Sequence, residues 1–134
     1  MLGEQLSEDI GQVMTTRVLP SDARGPRIEI SFQADGTILG IHYHEMGTYE
    51  ATVRADGTMY GEGQGVIQTE HGDVVTWRGQ GVGGSPAPGH QSFRGAIYFE
   101  TGSERLARLN GVAGVFEYDA NESGKTESRV WEWK

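Results

Sequence analysis

The sequence predicts an all-β fold: a closed antiparallel barrel of about eight strands, joined in order as a meander. Three observations point to it. Apolar and polar residues alternate with period two along most of the chain, the pattern of half-buried strands. The alternating runs are separated by short turn signals, among them Ala-Asp-Gly-Thr at 34–37 and again at 55–58. Glycine, 21 of the 134 residues, recurs inside the runs themselves. There it weakens a flat strand but permits the bends of a small barrel. A meander of this length must close or fold into a sandwich, because open edges invite aggregation, and the strand glycines favour closure.

The elements follow in order. Arg27 to Gln33 alternates cleanly, and Asp35-Gly36 is expected to turn it into Thr37–His44, with Leu39, Ile41 and Tyr43 on one face. Tyr49, Ala51 and Val53 alternate with Glu50, Thr52 and Arg54. A second Asp-Gly pair, Asp56-Gly57, leads into a long strand from Met59 to Thr69, and the chain turns at His71-Gly72 into Asp73–Gly83. A Gly/Ser/Pro-rich loop, Gly84 to Gly89, precedes strands at Phe93–Thr101, Val112–Tyr118 and Thr126–Lys134. Helix is confined to a short turn within residues 103–109, with Ser103 as its N-cap. No linker or composition break divides the chain, so residues 1–134 are expected to form a single β-barrel domain.

Composition removes several function classes. Eleven Lys+Arg against 19 Asp+Glu give a net charge of −8, which disfavours nucleic acid and anionic membrane as partners. No run approaches the roughly 18 apolar residues of a membrane helix. Met1 to Ile10 is acidic where a signal peptide needs a basic and then an apolar stretch, so the expected compartment is the cytoplasm. Without cysteine there is no disulfide frame, thiol nucleophile or Cys-zinc site.

Register decides where a site would lie, since a one-residue slip exchanges the two faces of a strand. A loop of Glu70-His71-Gly72 aligns Glu62 with Gln80 and Gln64 with Arg78, and puts both glycine rows, 61/63/65 and 79/81/83, on the face of Ile67, Val75 and Trp77. The turn at Asp56-Gly57 leaves two interiors open. A two-residue turn brings Glu62 and Gln64 inside with Arg78 and Gln80, joined by Arg94, Tyr98 and Glu100. A three-residue loop with left-handed Gly57 turns the glycines and Trp77 inward. The ligand-binding candidates are therefore Glu62, Gln64, Trp77, Arg78, Gln80, Arg94 and Tyr98.

Other chemistry is sparse. His42 and His44 stand two apart on one strand, a spacing that suits two ligands of one metal. The nearest further donors, Glu50 and His90, depart from the spacing of the cupin metal motif, so exposed strand histidines are the expectation and no metal site is expected. Gly61-Glu62-Gly63-Gln64-Gly65 lies mid-strand with no helix after it, which is not a phosphate-cradling arrangement. No serine sits in a nucleophile elbow.

Leu109-Asn110-Gly111-Val112-Ala113-Gly114-Val115-Phe116-Glu117-Tyr118, preceded by Glu104-Arg105-Leu106, resembles a strand of the allene oxide cyclase-like (dirigent-like) barrel class. Tyr60–Val66, Thr76–Gly83 and Arg94–Phe99 resemble an uncharacterised bacterial family within it. The resemblance implies an eight-stranded barrel with an apolar cavity, a homo-oligomeric state, and, where members are enzymes, catalysis with few groups and no cofactor. No catalytic residue of the class maps onto this chain. The sequence thus supports three readings. The first is a barrel binding an apolar or amphipathic small molecule, and the second a cofactor-free cyclase or isomerase on the same fold. The third is an interaction domain with a filled lumen and a glycine-smooth outer face against another subunit.

Overall fold

In a computed structural model describing residues 1–134, eight antiparallel strands close into one barrel in sequence order, the last pairing with the first. The strands are β1 (Leu2–Asp22), β2 (Gly25–Ile38), β3 (Ile41–Val53), β4 (Met59–Thr69), β5 (Val74–Gly84), β6 (Gln91–Thr101), β7 (Ala113–Ala120) and β8 (Lys125–Trp133). The one helical piece is a 3-10 turn, Ala107–Gly111.

The turns explain the register. Three hairpins share one design, in which the N–H and C=O of the flanking residues close a three-residue loop whose last residue is a left-handed glycine. These loops lie between Arg54 and Thr58, Thr69 and Asp73, and Asn121 and Lys125, with Gly57, Gly72 and Gly124 at φ +87°, +85° and +83°. The Asp56-Gly57 ambiguity is thereby settled in favour of the three-residue loop. It pairs Val53 with Met59, and the next hairpin pairs Glu62 with Gln80 and Gln64 with Arg78.

Asp35-Gly36, expected as a turn, lies instead inside β2, where Asp35 faces Ile10 on one side and His44 on the other. The chain reverses four residues later at Leu39-Gly40, both left-handed (φ 48° and 81°), and Ile38 pairs with Ile41. Both versions are two-residue turns, and a shift by an even number leaves each side chain on its expected face. His42 and His44 accordingly point outward. Extending β2 lets Ile38 reach the core, where it is fully buried.

Strand β1 has no counterpart among the expected strands. Its pairing with β8 shifts on either side of Gln5, and its pairing with β2 shifts between Val13 and Thr15. These bulges break the period-two alternation, so Leu6 and Ser7, adjacent in sequence, are both buried. Past Gln12, β1 outruns β8 and pairs with β2 alone.

The core has two halves. One gathers Leu6, Ile38, Ile67, Val75 and Phe99 around Leu106 and Leu109, which carry the segment before β7 into the end of the barrel as a plug. Ser103, the expected N-cap, does not cap the turn, which starts after Leu106 without a side-chain cap. Its hydroxyl donates to Asp73 at 2.6 Å, and Asp73 also accepts from Thr69 at 2.7 Å and sits 3.3 Å from Arg105 Nε. The plug is thus tied to the β4–β5 loop. The other half gathers Ile30, Phe32, Tyr49, Met59, Phe93 and Tyr118, and Trp77 and Phe116 pack against both. No helix is long and apolar enough to cross a membrane. Outward positions of β2–β5 carry Glu29, Gln33, His44, Glu62, Gln64 and Arg78 around an apolar interior, the reverse of a lipid-facing barrel.

Candidate functional site

With the glycine rows turned inward, the middle of the β4–β5 wall between Met59 and Ile67 is bare of side chains on β4, and the rings of Phe93, Phe116 and β5's own Trp77 lie over its glycines. Trp77 shows why glycine is required. A Cβ at Gly65 would lie 2.3 Å from the indole ring, and one at Gly47 would lie 2.9 Å from it. The indole lies across the two glycines and stacks on Phe32, with ring centroids 6.5 Å apart.

Between the core halves a cavity of about 80 Å³ remains, walled by glycines of β4 and β5 and by eight aromatic residues, among them Phe32, Tyr43, Trp77 and Phe116. The plug closes one end of the lumen. Toward the other end Tyr49, Phe93 and Tyr118 pack edge-on and tilted against one another. There the Tyr49 and Tyr118 hydroxyls lie 3.2 Å apart, and Tyr49 donates to Gln91 Oε1 at 3.1 Å. Burial holds the Tyr49 hydroxyl up at about 12 and raises that of Tyr118 further, so both remain protonated donors.

Two carboxyl groups face this cavity, Asp9 from β1 and Glu45 from β3, at 7% and 5% exposure. Their approach is set by register. Asp9 pairs with Gly36 and Gly36 with Tyr43, so the row Asp9–Gly36–Tyr43 has no side chain at its centre. A Cβ at Gly36 would meet Asp9 Cβ at 2.6 Å. Through that gap the Tyr43 hydroxyl donates to Asp9 Oδ2 at 2.6 Å. Trp77 Nε1 donates to Glu45 Oε2 at 2.9 Å. The two carboxyls are close enough that each shifts the other's titration, and of the two Glu45 holds its proton more tightly. Burial raises both above the ordinary carboxylate range, and Glu45 much further, because the hydrogen bonds that Asp9 accepts favour its ionised form. Oδ1 of Asp9 is buried without a hydrogen-bond partner. Ser7 and Ser128 add hydroxyls beside the pair. A donor and an acceptor of one proton, set in an apolar cavity, can hydrogen-bond a polar group of a ligand or exchange a proton with it.

Of the sequence candidates, Trp77 points into this lumen, and Glu62 and Gln80 border it from the outer face. Glu62, Gln64, Arg78, Gln80, Arg94 and Tyr98 lie on the outer face, so the polar lumen does not form. Five of them, without Arg94, line an external groove across β3–β6. Tyr60 donates there to Gln80 at 2.5 Å, and Arg94 sits near Glu117 and Asp119 at 3.7 and 3.5 Å. The inward glycines also remove the glycine-smooth outer face that the third reading required. His44 Nδ1 lies 3.0 Å from Asp35, and Glu50 accepts from Arg27 at 2.8 Å. No three His, Asp or Glu side chains converge as metal ligands. Asp9 and Glu45 are absent from the sequence candidates. Glu45 shares the parity of Tyr43 and Tyr49, so alternation alone marks it as inward; the bulged β1 gives no such signal for Asp9.

No family model and no curated protein matches the chain. Solved structures do. A conserved protein of unknown function from Rhodopseudomonas palustris superposes with a TM-score of 0.83 at 18% identity, covering 98% of this chain and 97% of its own. A β-barrel-like protein from Acinetobacter baumannii gives 0.84 at 14% identity, over 100% and 96%. An enzyme from Penicillium herquei gives 0.69 at 19% identity, over 96% and 92%. At these identities the likeness shows a shared fold: this chain is built like uncharacterised bacterial β-barrels and like one fungal enzyme.

Proposed function

We propose that the barrel binds a small apolar or amphipathic molecule in its lumen, with the polar part of the ligand at Asp9 and Glu45. The observation that carries this reading is the pair itself. Two acids buried among aromatic rings cost stability, and a lumen built for packing alone would hold apolar residues there. The free volume of 80 Å³ is smaller than the roughly 150 Å³ that accommodates a benzene. Anything beyond a few heavy atoms therefore enters by displacing Tyr49 or Tyr118. The test is native mass spectrometry of protein purified from its own host, alongside Gly79→Val. Gly79 lines the cavity, and its added Cβ would meet the Ala96 carbonyl oxygen at 3.3 Å, so the variant fills the space at the cost of a small shift in the wall, and its thermal unfolding is recorded alongside. One retained small molecule, lost in the variant, supports the reading; an empty wild-type barrel counts against it.

A second reading, a cofactor-free cyclase or isomerase of the allene oxide cyclase-like kind, is favoured by the proton that Glu45 holds beside Asp9. Glu45 would donate it and Asp9, oriented by Tyr43, would accept one from the substrate. The fold shared with a fungal enzyme supports this reading. Incubating the retained molecule with fresh protein distinguishes the two: a binding protein returns it unchanged. An enzyme returns an isomer with a different retention time, and neither Asp9→Asn nor Glu45→Gln does.

A further inference from the structure

We infer that the ligand's polar group is a cation, a small amine in its ammonium form, seated between the aromatic rings and the carboxyl pair. The inference rests on the lumen-binding reading and adds the chemical class. The titratable side chains that point into the cavity are Asp9, Tyr43, Glu45, Tyr49 and Tyr118; Glu62 borders it from the outer face, and no Lys, Arg or His lines it. With Glu45 holding its proton and the tyrosines neutral, ionised Asp9 has no counter-cation in the lumen. Asp9 Oδ1, buried and without a hydrogen-bond partner, is the free acceptor. An ammonium group supplies the N–H donors that this oxygen lacks and neutralises the charge. The rings of Phe32, Trp77 and Phe116 present π-faces that attract cations. The net charge of −8 draws cations toward the molecule and repels anions before contact. A carboxylate or phosphate ligand would face the pair with nothing to offset the repulsion.

Three probes of nearly one shape separate charge from size: tert-butylammonium, tert-butanol and pivalate. Binding to the full chain is followed by NMR shifts of the Trp77 indole and by calorimetry. The expected result is tert-butylammonium bound at least about tenfold more tightly than tert-butanol, with pivalate undetected. In Asp9→Asn the preference for the cation falls away while tert-butanol still binds. In the unmodified protein, lowering the pH until Asp9 takes up a proton weakens the ammonium probe and leaves tert-butanol unaffected, a readout that needs no variant. Tert-butanol binding as tightly as the cation, or a cation preference insensitive to Asp9 and to acid, overturns the inference and leaves lumen binding standing. Failure of all three probes to bind counts against both.

Discussion

At Glu45 the protein keeps an acid where solvent cannot reach it, and the consequence is a stability that depends on pH in a stated direction. The unfolded chain titrates this carboxyl near 4.5, whereas burial and the contact with Asp9 raise it well above that when folded. Between the two values the folded state holds a proton that the unfolded state has released. Stability therefore falls as pH rises through that window, by up to about 1.4 kcal/mol per pH unit. Glu45→Gln keeps the shape, can accept from Trp77 and can donate to Asp9, but has no proton to lose. Thermal unfolding should find the variant and the wild type close at about pH 4 and the variant several degrees more stable at about pH 8; parallel pH curves would contradict this assignment. A second prediction concerns Gly65. Its substitution by Ala puts a methyl 2.3 Å from the Trp77 ring. The indole must then leave its place on Glu45, at a cost of about 1–3 kcal/mol by denaturant unfolding. The Trp77 indole N–H resonance should move to a solvent-like position.

Among the elements, β1 differs most from what the sequence shows, while the expected short turn forms at Ala107–Gly111, later than expected and without its Ser103 cap. Leu106 and Leu109 are fully buried, yet they belong to a short charged segment whose turn forms only because the barrel end needs filling. Leu109→Ala should cost about 2–5 kcal/mol, measured by urea unfolding. Asp73, which accepts from Ser103 and Thr69, ties the plug down, and these hydrogen bonds lower its carboxyl below the ordinary 3.8. Its contribution is present above that value and fades as pH falls through the folded one. Asp73→Asn is thus expected to lower the melting temperature at neutral pH and to converge with wild type in acid. The strands from β2 onward were legible because alternation and three-residue glycine loops are local signals. Strand β1 was not, since its bulges disrupt the period on which recognition depends. The acid pair was hidden for the same reason: its two halves sit on different strands, and only the register joining β1, β2 and β3 brings Asp9 to Tyr43 and Glu45. The outer placement of Glu62, Gln64, Arg78 and Gln80 turned on one residue of loop length at Gly57, which side-chain chemistry cannot reveal.

For the molecule as a whole, glycine is what makes room. The inward rows on β4 and β5 let aromatic rings from other strands cross the lumen, and the space they leave holds the carboxyl pair. Charge is segregated in the same way, with every Lys, Arg and His kept out of the cavity lining and two acids within. The candidate chemistry requires that Asp9 and Glu45 lie inside the barrel and influence each other's titration. The most direct test is a pH titration of the side-chain carboxyl carbons by ¹³C NMR, with Asp9→Asn and Glu45→Gln providing assignment. Both signals should titrate above 3.8 and 4.5 respectively, Glu45 much further above, and each should shift when the other residue is replaced. A Glu45 signal that titrates at 4.5, unmoved by Asp9→Asn, would put this carboxyl in water and remove the site.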